Sequence, residues 1–216
     1  ARRLRDIAQP ITLFQVVAEG LRNDFPALRT LDVTPGNLRS PETIIIGRES
    51  AVADAQTALK AHRLVTLTGV GGVGKTRLAL EVASQLRSEF SDGVWTIELA
   101  PVGDPATVPE AIAAVLGISQ QPGKSLADSI ADAQDSRNRL LVFDNCEHLL
   151  DAVAVMVDTI RSRSSTVKIL ATSREGLRLP DEQLLTVPSL DVDSSAATLF
   201  VERARALAPV PSPSHP

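Results

Sequence analysis

A single cysteine, a single tryptophan and no tyrosine leave this 216-residue chain with 3% aromatic residues. Cys146 has no partner for an internal disulfide, and such usage suits a reducing, cytosolic compartment. So few aromatics offer little for single-stranded bases to stack on. The net charge is −4 with both signs interspersed, so no basic footprint for a polyanion is visible. Direct nucleic-acid binding by this segment is therefore disfavoured. No run reaches the roughly 18 consecutive apolar residues of a membrane helix, and no signal peptide opens the sequence. The expectation is a cytoplasmic protein without a membrane partner.

What the chain does have is Gly69-Val70-Gly71-Gly72-Val73-Gly74-Lys75-Thr76, which fits the phosphate-loop pattern G-x-x-x-x-G-K-[ST] at every fixed position. Glycines let backbone N–H groups approach phosphate oxygens, and the helix that follows aims the positive end of its dipole at the anion. Lys75 supplies a cation for the β and γ phosphates, and Thr76 a hydroxyl for magnesium. The expected nucleotide contacts are Gly69, Gly71, Gly72, Val73, Gly74, Lys75, Thr76 and Arg77. The flanks agree. Leu64-Val65-Thr66-Leu67 reads as a buried parallel strand, and Leu78, Ala79, Val82, Ala83 and Leu86 share one helical face.

Asp144 follows the apolar strand at residues 140–143, at the edge where open α/β sheets hold ligands. An acid there orders the magnesium of a phosphate-loop NTPase, whereas the plain alternative is an Asp that begins a turn. Asn145 is an amide and cannot take a proton from an attacking water, a service worth about 10² to 10⁴ in rate. Unless Glu147 or a partner supplies a base, hydrolysis is expected to be slow. Glu147 and His148 are read as residues of the following helix. Thr172-Ser173-Arg174 ends another strand on the same edge, where Arg174 either reports a γ phosphate or is a surface residue.

The alternation of strand and helix signals from Thr43 predicts an α/β fold, a three-layer phosphate-loop NTPase sandwich with a mainly parallel sheet. Residues 94–99 suit a strand near the sheet edge. Thr107-Val108-Pro109-Glu110 reads as a capping box for a helix stopped by Gly117. Further helices are expected at about 125–134, 149–160 and 196–208, and strands at 167–171 and 184–187. Residues 11–17 read as a strand, residues 20–42 as a linker and 209–216 as a disordered tail. A start at Ala1 and a proline-rich end fit a segment of a longer chain.

These motifs resemble the signal-transduction ATPases with numerous domains, specifically bacterial regulators related to the NB-ARC ATPases. The resemblance runs from about Ile44 to Arg205 and rests on residues 44–49 (IIIGRE), the loop, 141–150 (LVFDNCEHLL) and 169–175 (ILATSRE). It implies that the Gly47-Arg48-Glu49 turn sits by the adenine, making Arg48 a cofactor contact, and that Arg174 is the sensor arginine. It also implies a closed ADP-bound state opened by ATP for assembly or signalling. The family's Gly-Leu-Pro-Leu motif is absent. Residues 1–19 resemble the closing strands of a class III nucleotide cyclase, whose metal-binding aspartates would lie upstream. Such regulators join a cyclase, this ATPase, a winged helix and a LuxR-type DNA-binding domain. The leading expectation is an ATP/ADP switch using magnesium, with Lys75, Asp144 and Arg174 acting on the nucleotide. A vigorous ATPase or small-molecule phosphotransferase, and a scaffold with structural ADP, stand as alternatives.

Overall fold

The computed structural model describes residues 35–38, 45 and 47–189. The strand read at 11–17, the helix at 196–208, the cyclase-like start and the tail lie outside the described residues. Within them the element order is α1 (Glu49–Ala61), β1 (Leu64–Thr68), α2 (Lys75–Gln85), β2 (Val94–Glu98), α3 (Val108–Leu116), α4 (Leu126–Asp132), β3 (Leu140–Asp144), α5 (Leu150–Arg163), β4 (Lys168–Ser173) and β5 (Glu182–Thr186). The strands form one sheet in the order β2-β3-β4-β1-β5, and every neighbouring pair is parallel.

Successive residues of a strand face opposite sides, and here both sides are apolar. On one side Leu64, Leu141, Phe143, Ile169 and Ala171 pack with side chains of α3, α4 and α5. On the other Val65, Leu67, Leu140, Val142 and Leu170 pack with α1 and α2. The expected three-layer sandwich follows from this double-sided burial. The face expected for α2 is buried as read, with Leu78, Ala79, Val82, Ala83 and Leu86 all enclosed. β2 is an edge strand, as its alternation implied. Asn37 lies along it, its side chain bonding the N–H and the C=O of Thr96 at 2.7 and 2.8 Å.

Three local readings are corrected. The capping box at Thr107 does not form: the Thr107 hydroxyl donates to the Asp104 carbonyl at 2.8 Å and no side chain caps α3. Asp104 has already started a short 3₁₀ turn at Pro105–Thr107, capping it through the Ala106 N–H, so the Thr107 hydroxyl faces backwards along the chain. Glu147 and His148 belong to a 3₁₀ turn, Cys146–His148, and α5 begins at Leu150. Asn145 causes this by taking a left-handed conformation (φ 66°) as the chain leaves β3, so helix cannot follow the strand directly. The helix read at 125–134 is shorter, with Ser125 accepting from the Asp128 N–H at its start.

Candidate functional site

The carboxyl ends of β1, β3 and β4 lie side by side, since Leu67 pairs with Thr172 and Phe143 with Ala171. Directly after β1 the glycine loop turns back over this edge. Gly69 has φ 150°, and a Cβ there would stand 2.9 Å from the Val187 carbonyl oxygen, so only glycine fits without strain. Gly74, at φ 93° and ψ 24°, is the left-handed residue from which α2 departs. A pocket of about 380 Å³ opens in front of the loop. Gly71, Gly72, Gly74, Lys75, Thr76 and Arg77 line it from one side, and Asn145, Glu147 and Thr172 from the other.

Lys75 is buried at the start of α2, and its ammonium donates to the carbonyls of Gly69 and Val70 at 2.8 and 3.0 Å. These two bonds hold the charge inside the loop, and an ammonium carries a third N–H. Thr76 Oγ1 donates to Asp144 Oδ1 at 2.7 Å, joining the first turn of α2 to the end of β3 across 68 residues of sequence. Thr172 Oγ1 donates to the same oxygen at 2.6 Å and accepts from the Asn145 N–H at 2.9 Å. The Asp144 carboxylate is therefore fixed in direction by two hydroxyls. Thr172 is the bracing residue, a task that sequence reading did not assign; the signal for it was its place in the strand next to β3.

Hydroxyl and carboxylate in contact make a suitable magnesium site, because that ion takes one or two protein oxygens and completes its shell with phosphates and water. No cluster of three or more His, Cys, Asp or Glu side chains that could hold a metal alone occurs among the described residues.

Arg174, just beyond β4, leans over the loop. Its Nη2 lies 3.8 Å from where a Cβ on Gly71 would stand, and its Nε is 3.5 Å from Glu147 Oε1. The loop after it is held by Glu182, whose carboxylate accepts from the N–H groups of Leu177 and Arg178 at 2.7 and 2.8 Å and from Thr66 at 2.6 Å. Arg48 is buried and donates to the Val73 carbonyl at 2.9 Å, tying the glycine loop to the residue before α1. Arg77 lines the pocket from the first turn of α2, 4.0 Å from Glu81. Below the site Cys146 is fully buried; burial, reinforced by the negative charges of Asp144 and Glu147, pushes its thiol far above the usual range. It is a packing residue, with its Sγ 3.5 Å from the Phe143 carbonyl.

A glycine loop opening a helix, facing an acid on a neighbouring parallel strand, defines the class of phosphate-loop nucleotide-binding proteins. The chain belongs to the AAA domain family, whose model matches residues 58–179, more than half of its length. An uncharacterised protein of Mycobacterium tuberculosis is 40% identical over 163 residues, covering 76% of this chain and 42% of that protein. A putative HTH-type transcriptional regulator of the same organism is 43% identical over 151 residues, 70% of this chain and 17% of the regulator. The chain thus spans less than half the length of the relatives it matches. Among solved structures, a Signal Transduction ATPase with Numerous Domains from Pyrococcus horikoshii, carrying a tetratricopeptide repeat sensor, shares the fold. The TM-score is 0.52 with 14% identity, over 78% of this chain and 27% of that one. No helix among the described residues is long and apolar enough to cross a membrane.

Proposed function

We propose that this chain is an ATP/ADP-binding switch module of a bacterial signalling or transcriptional regulator, with slow magnesium-dependent hydrolysis of ATP. The observation that carries the reading is the contact of Thr76 with Asp144 at the mouth of the glycine loop, with Lys75 beneath and Arg174 above the same pocket. Backbone N–H groups of residues 71–76 bind the phosphates, Lys75 compensates their charge, and Arg174 reaches a γ phosphate if one is present. Bound at Thr76 and Asp144, magnesium would screen the β and γ oxygens. The residue directly after Asp144 is an amide, Asn145, which offers no base at that position; its side chain lies 3.4 Å from His148 Nδ1.

The regulator setting is supported by the relatives named as HTH-type regulators, which are far longer than the matching segment. In this reading the NB-ARC-like domain occupies residues 43–208, preceded by a linker at 20–42 and a cyclase remnant at 1–19. It works in the cytoplasm with winged-helix and LuxR-type domains of the same longer chain, and its ATP form self-assembles. Arg48 acts near the adenine through the loop it supports. The test is thermal melting with ADP or ATP and magnesium: nucleotide at a hundred times its dissociation constant adds about 2.7 kcal/mol. A wild-type protein unmoved by either nucleotide, or a Lys75→Ala variant that responds like wild type, refutes the proposal.

A further inference from the structure

Among the described residues, Glu147 is the one carboxylate that lines the phosphate pocket. Three other acids of this sheet edge and its loops are engaged. Asp144 receives two hydroxyls, Glu182 two loop N–H groups and Thr66, and Glu175 the Arg178 guanidinium at 2.7 Å. Glu147 differs. Its Oε1 meets only Arg174, at 3.5 Å, and its Oε2 is buried with no hydrogen-bond partner among the described residues. A buried carboxylate oxygen left unbonded is ready to accept from a proton donor.

The backbone explains how an acid three positions beyond Asp144 returns to the site. The left-handed Asn145 reverses the chain and the 3₁₀ turn follows. Cys146 then points into the core, Glu147 toward the pocket, and His148 away, its Nε2 2.9 Å from the Val102 carbonyl. The residue beside Asp144 carries the amide, and the turn brings a carboxylate in its place.

We propose that Glu147 is the general base for ATP hydrolysis and that its pairing with Arg174 gates it; this deepens the switch reading and rests on it. Glu147 removes a proton from water as the water oxygen bonds to the γ phosphorus. The bond from that phosphorus to the β–γ bridging oxygen breaks, and its electron pair leaves with ADP. The proton passes from Glu147 to the released phosphate or to solvent. A γ phosphate offers Arg174 several charged oxygens and competes with Glu147 for the guanidinium. When Arg174 turns to the phosphate, Oε1 is freed for the water. One ion pair thereby links detection of ATP to its consumption, and turnover is slow because the base is held whenever the arginine is not drawn away.

The experiment uses the 216-residue chain, measuring affinity for fluorescent ATP and ADP derivatives and, separately, single-turnover hydrolysis of ATP with magnesium. Glu147→Gln keeps the side-chain volume and should hold both affinities within about threefold while the hydrolysis rate falls about a hundredfold or more. An E147Q rate equal to wild type with affinity intact overturns the assignment of Glu147 and leaves nucleotide binding standing. So does a wild-type chain that binds ATP without hydrolysing it. A wild-type chain that binds neither nucleotide overturns the switch reading, and this proposal with it. Should E147Q not fold, Glu147→Asp retains the charge but withdraws it by one methylene: a rate at least tenfold lower at unchanged affinity supports the base, and a wild-type rate overturns it.

Discussion

Replacing Asp144 by asparagine separates its two expected tasks, bracing the site and holding the metal. The amide oxygen of Asp144→Asn can still accept from Thr76 and Thr172, which now reach the carboxylate at 2.7 and 2.6 Å, so the geometry survives. Each bond loses its charge assistance, about 1 kcal/mol apiece and about 2 kcal/mol in total. For a domain of this size that lowers the melting temperature without nucleotide by about 4–8 °C. The contribution of magnesium-ATP is read within each variant, as the difference between protein with it and protein without nucleotide, so this baseline cancels. Wild type with magnesium-ATP at a hundred times its dissociation constant gains about 2.7 kcal/mol, or about 5–11 °C. Loss of a group that orients a metal shell costs about 10- to 100-fold in affinity. The same ligand concentration then stands at about one to ten times the dissociation constant, worth about 0.4–1.4 kcal/mol, or about 1–6 °C. Differential scanning fluorimetry resolves the difference. A D144N protein with the full magnesium-ATP gain refutes the reasoning.

Further outcomes follow from the same geometry. Gly69→Ala places a methyl 2.9 Å from the Val187 carbonyl at φ 150° and should cost about 1–3 kcal/mol in urea unfolding while weakening nucleotide binding; an unchanged midpoint contradicts the close approach. Cys146 should resist thiol reagents in the native state at pH 8 and react fully in denaturant, because burial raises its pKa; rapid native labelling contradicts that placement. Asp92 has its pKa lowered first by the Asn138 N–H and then by Arg137. A depressed carboxyl pKa adds stability above the unfolded value near 3.9 and loses it as pH falls through the folded value. Asp92→Asn should therefore be less stable than wild type at pH 7, with the gap closing in acid; a gap constant from pH 7 to pH 2 counts against the assignment.

Much of the site was legible because its chemistry is local. Eight consecutive residues encode the glycine loop, and the apolar run before it and the periodic helix after it supply the context that the motif requires. Asp144 was legible because it ends a fully apolar strand. Local signals also misled where two of them competed. Thr107 looked like a cap, but Asp104 three residues earlier captured its hydroxyl. Glu147 looked helical, yet the left-handed Asn145 forces a tighter turn and sends the carboxylate into the pocket. Arg48 was assigned to the base through a resemblance, and the bond it makes is to the Val73 carbonyl, a contact between residues 25 positions apart that no short pattern encodes.

From the order of its residues alone, the chain declared a doubly covered parallel sheet and a loop able to grip phosphates. Side-chain period, glycine placement and helix polarity act within a few residues, and each can be read in a line. Tertiary packing alone chose the strand order that seats β1 between β4 and β5. It thereby set Asp144 between the hydroxyls of Thr76 and Thr172, and Arg174 against Glu147. Hydrogen bonds and ion pairs act over a few ångströms of space, so partners 27 to 68 residues apart meet only once strand register has fixed where each strand ends.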